Sequence, residues 1–266
     1  MAIPISEAYM QLNPRSFLTR AGLVGVLVLS AAGLATPAQA TTTCDAFGSI
    51  TMGKYWLNNN TWGAGSGSGQ QCIWDTSRSG STIAWGTSWN WSGQPSQVKS
   101  YDSSVLGWHW GWKNSGTGLP VQLSANRSVS SGWSFRPPGS GTFNVAYDLW
   151  LHTISNPDWS NNPSDEVMIW LYRAGGAGPL GTRVATANIA GTTWDLYQGN
   201  IGWEVYSFVR TANTTSATLN LRDFLNYLRS NRGLSSAKYL TSVEAGTEVF
   251  IGSGQLDTTS YFTNVG

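Results

Sequence analysis

Charged side chains are scarce in this 266-residue sequence. Asp, Glu, Lys and Arg make up 11% of it, against roughly 25% in an average globular domain. The 15 Lys and Arg residues nearly balance the 14 Asp and Glu residues, which leaves a formal net charge of +1. Because so few cations cannot form a basic stripe, the composition argues against nucleic acid as a partner.

Histidine and cysteine are also rare, with two residues of each. His109 and His152 lie far along the chain from Cys44 and Cys72, and these spacings match no zinc motif. Neither histidine is accompanied by the Gly-x-Ser-x-Gly sequence of a serine hydrolase. We therefore expect no metal ion and no cofactor.

Long apolar stretches are confined to the N-terminus. Arg15 and Arg20 precede an apolar stretch, residues 21–35. The tripeptide Ala-Gln-Ala follows this stretch and ends at Ala40. This order is typical of a secretory signal peptide, and the stretch is shorter than the roughly 20 residues of a membrane-spanning helix. We predict a signal peptide over residues 1–40, with an uncleaved membrane anchor as the alternative, and one extracellular domain over residues 41–266. Export favours a disulfide between the two cysteines.

An alternation of apolar and polar residues dominates residues 41–266. It is clear in residues 143–150 and 166–171, and clusters of Gly, Ser, Asn and Pro separate such stretches. Tryptophans of one parity recur in residues 85–91, with Thr87 among them, and occupy alternate positions in residues 108–112. This pattern is typical of the short strands of a β-sandwich or β-barrel, with residues of one parity on one face.

One segment has helical spacing instead. In residues 221–232 the apolar positions are Leu221, Phe224, Leu225 and Leu228, which lie on one side of a helix. Gly233 follows and can end the helix in a left-handed conformation. We predict a single amphipathic helix docked on the β-structure.

The 15 tryptophans suggest a saccharide ligand. Sugar rings present apolar faces that stack on indole, whereas the alternative is that each tryptophan fills the core and satisfies its N–H there. For any single tryptophan the core is as good an interpretation. With so many in one secreted chain, we expect several to line a groove.

Four glutamates follow the predicted signal peptide: Glu166, Glu204, Glu244 and Glu248. Glu166 shares its strand face with Met168 and Trp170, opposite a predicted core face, and Glu248 shares parity with Glu244. Two carboxyl groups about 5–5.5 Å apart are what a retaining glycosidase needs. Spacing alone leaves open whether Glu166 and Glu248 meet or are solvated edge carboxylates. Glu204 is interpreted as a solvated strand carboxylate.

Seven short stretches occur in order along residues 41–266. They are residues 59–63 (NNTWG), 98–101 (VKSY), 144–148 (NVAYD), 165–171 (DEVMIWL), 205–208 (VYSF), 224–228 (FLNYL) and 246–250 (GTEVF). On these motifs the sequence resembles glycoside hydrolase family 12, compact endoglucanases of the jelly-roll clan. The resemblance implies an all-β fold, a concanavalin-like jelly-roll sandwich of two antiparallel sheets with one docked α-helix and an open substrate groove. Cys44 and Cys72 occupy the positions of the family's N-terminal disulfide.

The resemblance also implies roles for individual residues. Glu166 matches the family's nucleophile, Glu248 its acid/base, and Asp148 a carboxylate that contacts the nucleophile. We expect Asp148 to hold a proton and to donate a hydrogen bond to Glu166. Four further positions match residues that bind sugar or pack near the cleaved bond: Asn60, Trp62, Met168 and Trp170. Residues 152–164 are not matched, and Trp159 within them is expected at the groove rim.

The activity implied is that of a secreted, retaining endo-β-1,4-glucanase with a β-glucan polysaccharide as its substrate. Two alternatives remain open: a xyloglucan-specific endo-β-1,4-glucanase of the same family, and a non-catalytic carbohydrate-binding jelly roll. We expect a monomer that binds neither nucleic acid nor, after cleavage of the signal peptide, a membrane.

Overall fold

The computed structural model of the protein describes residues 40–266, so the predicted signal peptide lies outside the described residues apart from Ala40. Within that range the chain forms 16 β-strands and one α-helix. The elements are β1 (Thr42–Thr43), β2 (Ser49–Met52), β3 (Tyr55–Asn58), β4 (Gly67–Ser79), β5 (Thr82–Gly93), β6 (Ser100–His109), β7 (Trp112–Lys113), β8 (Val121–Gln122), β9 (Val129–Arg136), β10 (Thr142–His152), β11 (Asp165–Ala174), β12 (Thr182–Ile189), β13 (Thr192–Asn200), β14 (Glu204–Arg210), β15 (Ser216–Asn220), α1 (Arg222–Arg232) and β16 (Tyr239–Val265).

Strand β16 belongs to two sheets. Its first part pairs with β6 and β10, and its second part pairs with β5 and β9. The short sheet has the order β1-β4-β5-β16-β9-β15. The long sheet has the order β2-β3-β6-β16-β10-β11-β14-β13-β12. One continuous strand therefore connects the two layers of the predicted sandwich.

The core lies between the two sheets and is built by the predicted alternation. The odd-numbered residues of β10 from Phe143 to Leu151 and those of β11 from Val167 to Leu171 are fully buried in it. Opposite them, the short sheet contributes tryptophans of one parity from β5 together with Trp133 of β9. Because successive strand residues point to opposite faces, the even-numbered residues of β10 and β11 are left for the other face of the long sheet.

One strand pair departs from the predicted antiparallel arrangement. Strand β11 pairs with β14 in parallel, whereas the other described pairings are antiparallel. The chain leaves β11 for the sheet edge, forms the β12–β13 hairpin there and returns through β14. Two reversals of direction on the way back place β14 parallel to β11.

The predicted helix is present as α1. Phe224, Leu225 and Leu228 are buried in the core, and Gly233 follows with φ 71°, the left-handed conformation expected of a residue that ends a helix. The ring of Phe224 lies 5.0 Å from that of Trp194 on β13 and makes an edge contact with it. Across residues 40–266, no helix is long and apolar enough to cross a membrane.

The prediction of one alternating stretch over residues 108–112 is wrong. Strand β6 ends at His109, and β7 starts at Trp112 as its antiparallel partner. Trp110 and Gly111 form the turn between them, with φ values of 46° and 91°. A two-residue hairpin turn with positive φ at both positions reverses the chain. Trp108 is consequently buried, whereas Trp112 is 74% exposed.

The disulfide between Cys44 and Cys72 is confirmed. It joins the segment after β1 to the middle of β4, and 28 positions separate the two cysteines. A cross-link of this kind stabilises a protein mainly because it restricts the unfolded chain.

Removing the disulfide should destabilise the protein. We expect the double substitution Cys44→Ala with Cys72→Ala to lower the free energy of unfolding by roughly 3 kcal/mol, as loop closure predicts. Denaturant titration of both proteins measures the difference. A reductant should weaken the wild-type protein and leave the double variant unchanged; equal stability of the two proteins would contradict the expectation.

Candidate active site

The face of the long sheet that points away from the core lines a cleft of about 1170 Å³. Seven of the 15 tryptophans line it: Trp56, Trp62, Trp110, Trp112, Trp150, Trp170 and Trp203. Five others belong to the core: Trp85, Trp89, Trp91, Trp133 and Trp194. The expectation that several tryptophans line a groove is confirmed.

Four carboxyl groups from three neighbouring strands line the same cleft. They are Asp148 of β10, Glu166 of β11, and Glu244 and Glu248 of β16. Strand β10 lies between β11 and β16, and Asp148 is directly opposite both Met168 and Glu244. Asp148, Glu166 and Glu244 are all buried. Burial of several acids together means that they cannot all be ionised at the same pH.

Glu166 is held by an indole. The Nε1–H of Trp203 donates a hydrogen bond to Glu166 Oε2 over 2.8 Å. Burial raises the pKa of Glu166 to about 7; the hydrogen bond from Trp203 opposes this rise, and the charge of Glu244 adds to it.

Glu248 is held by an amide. Asn144 Nδ2 donates to Glu248 Oε2, and Asn144 Oδ1 accepts from the backbone N of Glu248 over 2.9 Å. Burial raises the pKa of Glu248 to about 8, and the charge of Glu166 adds to the rise while the bond from Asn144 opposes it. An ionised Glu166 beside a protonated Glu248 can supply a nucleophile and an acid.

Asp148 lies between these groups. Burial raises its pKa well above the ordinary value, with further contributions from the charges of Glu166, Glu244 and Glu248, which favours the protonated form that the sequence analysis expects. Its Oδ1 atom is buried and has no hydrogen-bond partner within residues 40–266. The expected hydrogen bond to Glu166 is therefore not formed through this atom.

Glu244 and His109 were not assigned a role from the sequence. Glu244 accepts hydrogen bonds from Ser103 Oγ (2.8 Å) and Trp150 Nε1 (3.1 Å), and His109 Nδ1 lies 2.8 Å from its Oε1 atom. The sequence does indicate the face of the strand on which Glu244 lies, because Glu244 shares its parity with Glu248. Its donors, however, come from distant parts of the chain, and the misassigned stretch 108–112 obscured the position of His109.

The four predicted sugar-contacting residues all line the cleft. Trp62 is 60% exposed and presents its ring, and Asn60 Oδ1 accepts a hydrogen bond from the backbone N of Trp62. Met168 and Trp170 are buried beside each other, with Trp170 Nε1 3.5 Å from Met168 Sδ, so they form the floor of the cleft. Trp159 is exposed and packs against Gly111, next to a hairpin whose tryptophans line the cleft.

Glu204 begins β14 and is partly exposed, in agreement with its interpretation as a solvated strand carboxylate. Its side chain accepts hydrogen bonds from Gln198 Nε2 (2.9 Å) and Asn200 Nδ2 (2.6 Å). These bonds lower its pKa, and they tie the end of β13 to the start of β14.

Two glutamates set among indole rings in one cleft on a β-sandwich are the arrangement typical of a glycoside hydrolase. Comparison with known families agrees, because the model of the family described as Glycosyl hydrolase family 12 matches residues 53–266. The chain belongs to glycoside hydrolase family 12.

Named relatives cover most of the chain. Endoglucanase S of Pectobacterium parmentieri is 41% identical over 222 residues, which are 80% of this chain and 82% of that protein. A probable xyloglucan-specific endo-beta-1,4-glucanase A of Aspergillus terreus is 44% identical over 227 residues, 83% of this chain and 85% of that protein. The solved structure of a native family 12 xyloglucanase from Bacillus licheniformis matches with a TM-score of 0.78 and 40% identity, covering 85% of this chain and 100% of that one.

Replacing Glu166 by Gln should make the protein more stable at alkaline pH. Because the pKa of Glu166 is higher in the folded state, the unfolded chain releases its proton first, so wild-type stability falls as pH rises towards 7. Gln removes this loss and can still accept from Trp203. Thermal melts should show a gap of several degrees in favour of E166Q at pH 8, and a smaller gap at pH 5.

A matched control is Glu204→Gln. The pKa of Glu204 is lowered in the folded state, so its ionised form stabilises the protein above the unfolded pKa. E204Q should therefore lose stability relative to wild type at pH 8 and approach it in acid. A gap that does not grow with pH in E166Q would contradict a raised pKa of Glu166 in the folded protein.

Proposed function

We propose that the chain is a secreted, retaining endo-β-1,4-glucanase that hydrolyses internal bonds of cellulose-type glucans by double displacement. The observation that carries the proposal is that Glu166 and Glu248 line one cleft, where Trp203 donates to the first and Asn144 to the second. The aromatic lining of an open cleft suits a long chain of sugar rings. The family of the chain and the endoglucanase among its relatives support the same activity.

In the first step, the ionised carboxylate of Glu166 attacks the anomeric carbon. The bond to the leaving oxygen breaks, and Glu248 gives its proton to that oxygen. A β-linked sugar becomes an α-linked glycosyl ester of Glu166. Since the charge of Glu166 contributes to the raised pKa of Glu248, its neutralisation makes Glu248 a stronger acid at the moment when its proton is needed.

In the second step, Glu248 acts as the base. Its carboxylate takes a proton from water while the water oxygen attacks the anomeric carbon, and the carboxylate of Glu166 departs. Two inversions give net retention. Asp148, with its pKa raised in favour of the protonated form, adds little negative charge next to the departing carboxylate.

The sugar chain is proposed to lie along the cleft across the long sheet. Trp62 offers an exposed ring for stacking, with Asn60 beside it, and Met168 and Trp170 form the floor below the cleaved bond. The signal peptide predicted over residues 1–40 supports secretion, and the match over residues 53–266 supports a single catalytic domain at 41–266. A monomer is sufficient, because all four cleft carboxyl groups come from one chain.

Substitution of the two glutamates tests the mechanism. Glu166→Gln should abolish the release of reducing ends from carboxymethylcellulose, because an amide cannot attack the anomeric carbon. Glu248→Ala should lower turnover of polysaccharide by about 10²–10⁴-fold, the range for a general acid. On an aryl cellobioside with an activated leaving group, which needs no acid, added azide should restore turnover of E248A and yield a β-glycosyl azide.

Thermal melts of both variants exclude unfolding as the cause. An α-glycosyl azide would contradict retention, and cleavage of carboxymethylcellulose by E166Q would contradict the role of Glu166. Release of no reducing ends by the wild-type protein would favour a non-catalytic carbohydrate-binding protein.

The second candidate function is xyloglucan-specific hydrolysis. It is favoured by relatives described as xyloglucan-specific endo-beta-1,4-glucanase A and by the family 12 xyloglucanase from Bacillus licheniformis. If the cleft requires xylosyl branches, kcat/KM on xyloglucan should exceed that on unbranched glucan by at least tenfold, about 1.4 kcal/mol of transition-state binding. Initial rates on xyloglucan, carboxymethylcellulose and mixed-linkage glucan decide between the two; equal or higher rates on unbranched chains would favour the first candidate.

A further inference from the structure

Trp203 contacts Glu166 from a loop that sequence patterns left unassigned. It lies between β13 and β14, is half-buried and lines the cleft. Its Nε1–H donates to Glu166 Oε2 over 2.8 Å. Among the described residues 40–266, Trp203 is the one hydrogen-bond donor to the Glu166 carboxylate.

The loop that carries Trp203 is tied down on both sides. Glu204 accepts from Gln198 and Asn200, which join the two strands across the loop. Asn200 Oδ1 also accepts from the backbone N of Gly202 over 3.0 Å. These hydrogen bonds therefore fix the backbone on both sides of Trp203.

The indole ring is packed on two sides. Its centroid lies 6.0 Å from that of Trp110 and 5.9 Å from that of Trp150. Trp110 occupies the turn of the β6–β7 hairpin, and Trp150 is directly opposite Glu166 in the strand register. The Nε1–H of Trp150 donates to Glu244 instead, so neighbouring indoles serve different carboxylates.

We propose that Trp203 is a positioning residue that holds the Glu166 carboxylate in one orientation and stabilises its charge. The inference rests on the proposed role of Glu166 as nucleophile. Because Trp203 binds Oε2, it leaves Oε1 free, and Oε1 is assigned as the atom that attacks the anomeric carbon.

The same bond acts in both steps of the reaction. In the glycosyl ester, Oε2 is a neutral carbonyl oxygen that accepts a weaker hydrogen bond than a carboxylate does. When water displaces Glu166, negative charge returns to the carboxylate and the bond to Trp203 strengthens. The indole N–H therefore orients Glu166 for attack and stabilises it as a leaving group.

Removing the N–H while keeping an aromatic ring isolates this contribution. A hydrogen bond to a charged group is worth about 1.5–3 kcal/mol, which corresponds to roughly 10–100-fold in rate. Trp203→Phe should lower kcat by this factor on carboxymethylcellulose and change KM by less than about threefold. Loss of a packing contact alone would raise KM or lower stability without a specific effect on Glu166.

The pH profile supplies a readout that packing would not move. The acidic limb of kcat/KM reports ionisation of Glu166 in the free enzyme. Because the bond from Trp203 lowers the pKa of Glu166, its loss should move that limb to higher pH by about one unit. Asp148, Glu244 and Glu248 also face Glu166, and His109 faces Glu244, but W203F leaves all four in place.

Trp110→Phe is the matched control. It also replaces an indole by a phenyl ring in the same aromatic cluster. Trp110, however, gives no hydrogen bond to Glu166. Its acidic limb should coincide with that of wild type, whatever its effect on KM. Equal shifts in W110F and W203F would overturn the inference, as would an unshifted limb in W203F with kcat intact.

A second substitution removes the donor without changing the ring shape. Incorporation of 3-benzothienylalanine at position 203 replaces N–H by sulfur, so it keeps the packing if W203F fails to fold. The same limb shift and fall in kcat are expected. Wild-type kinetics in this folded protein would overturn the inference.

Trapping separates this inference from the proposed function. A 2-deoxy-2-fluoro cellobioside with an activated leaving group should label the nucleophile, which peptide mass spectrometry identifies. A label on a residue other than Glu166 would refute the proposed function and the inference with it. A label on Glu166, with labelling rates in W203F that follow the wild-type pH profile, would refute the inference alone.

Discussion

The cleft depends on one constraint: four carboxyl groups, three of them buried, line one face of the long sheet, and charge on one disfavours charge on the others. Each ionised group raises the pKa of its neighbours, so the hydrogen-bond donors around them decide where the charge resides. Glu244 has three polar partners in Ser103, His109 and Trp150. Asp148 Oδ1 is buried with none in the described residues. The bonds from Trp203 and Asn144 oppose the rise in the pKa of Glu166 and of Glu248, respectively.

The fold meets this constraint because strands have a period of two. Strand β16 carries Glu244 and Glu248 towards the cleft and buries Val243, Ala245 and Val249 in the core. Strands β10 and β11 do the same with Asp148 and Glu166. Every acid is thus fixed by apolar residues one position away, and a shift of register by one residue would move all of them into the core. The packed interior behind the sheet fixes the acids in front of it.

How far the sequence predicts this arrangement depends on the kind of signal. Alternation in residues 143–150 and 166–171 predicts which side chains face the cleft, and helical spacing predicts α1. The hairpin at Trp110 and Gly111 was missed because two positive φ angles reverse the chain without interrupting the alternation of tryptophans. Trp203 was missed because a loop has no period. The partners of Glu244 come from β6 and β10, and only the folded structure brings them together.

Composition could not divide the tryptophans between core and cleft, yet the hydrogen-bond acceptors of four indole N–H groups differ between the two places. In the core, Trp133 donates to Thr258 Oγ1 and Trp194 to the carbonyl of Ile189. In the cleft, Trp150 and Trp203 donate to carboxylates. For an indole in the core, any acceptor offsets the burial of its N–H group. An indole that donates to a carboxylate also lowers the pKa of that carboxyl group. Where an indole of the cleft donates to a carboxylate, as Trp203 does to Glu166, it therefore also sets the acidity of that group.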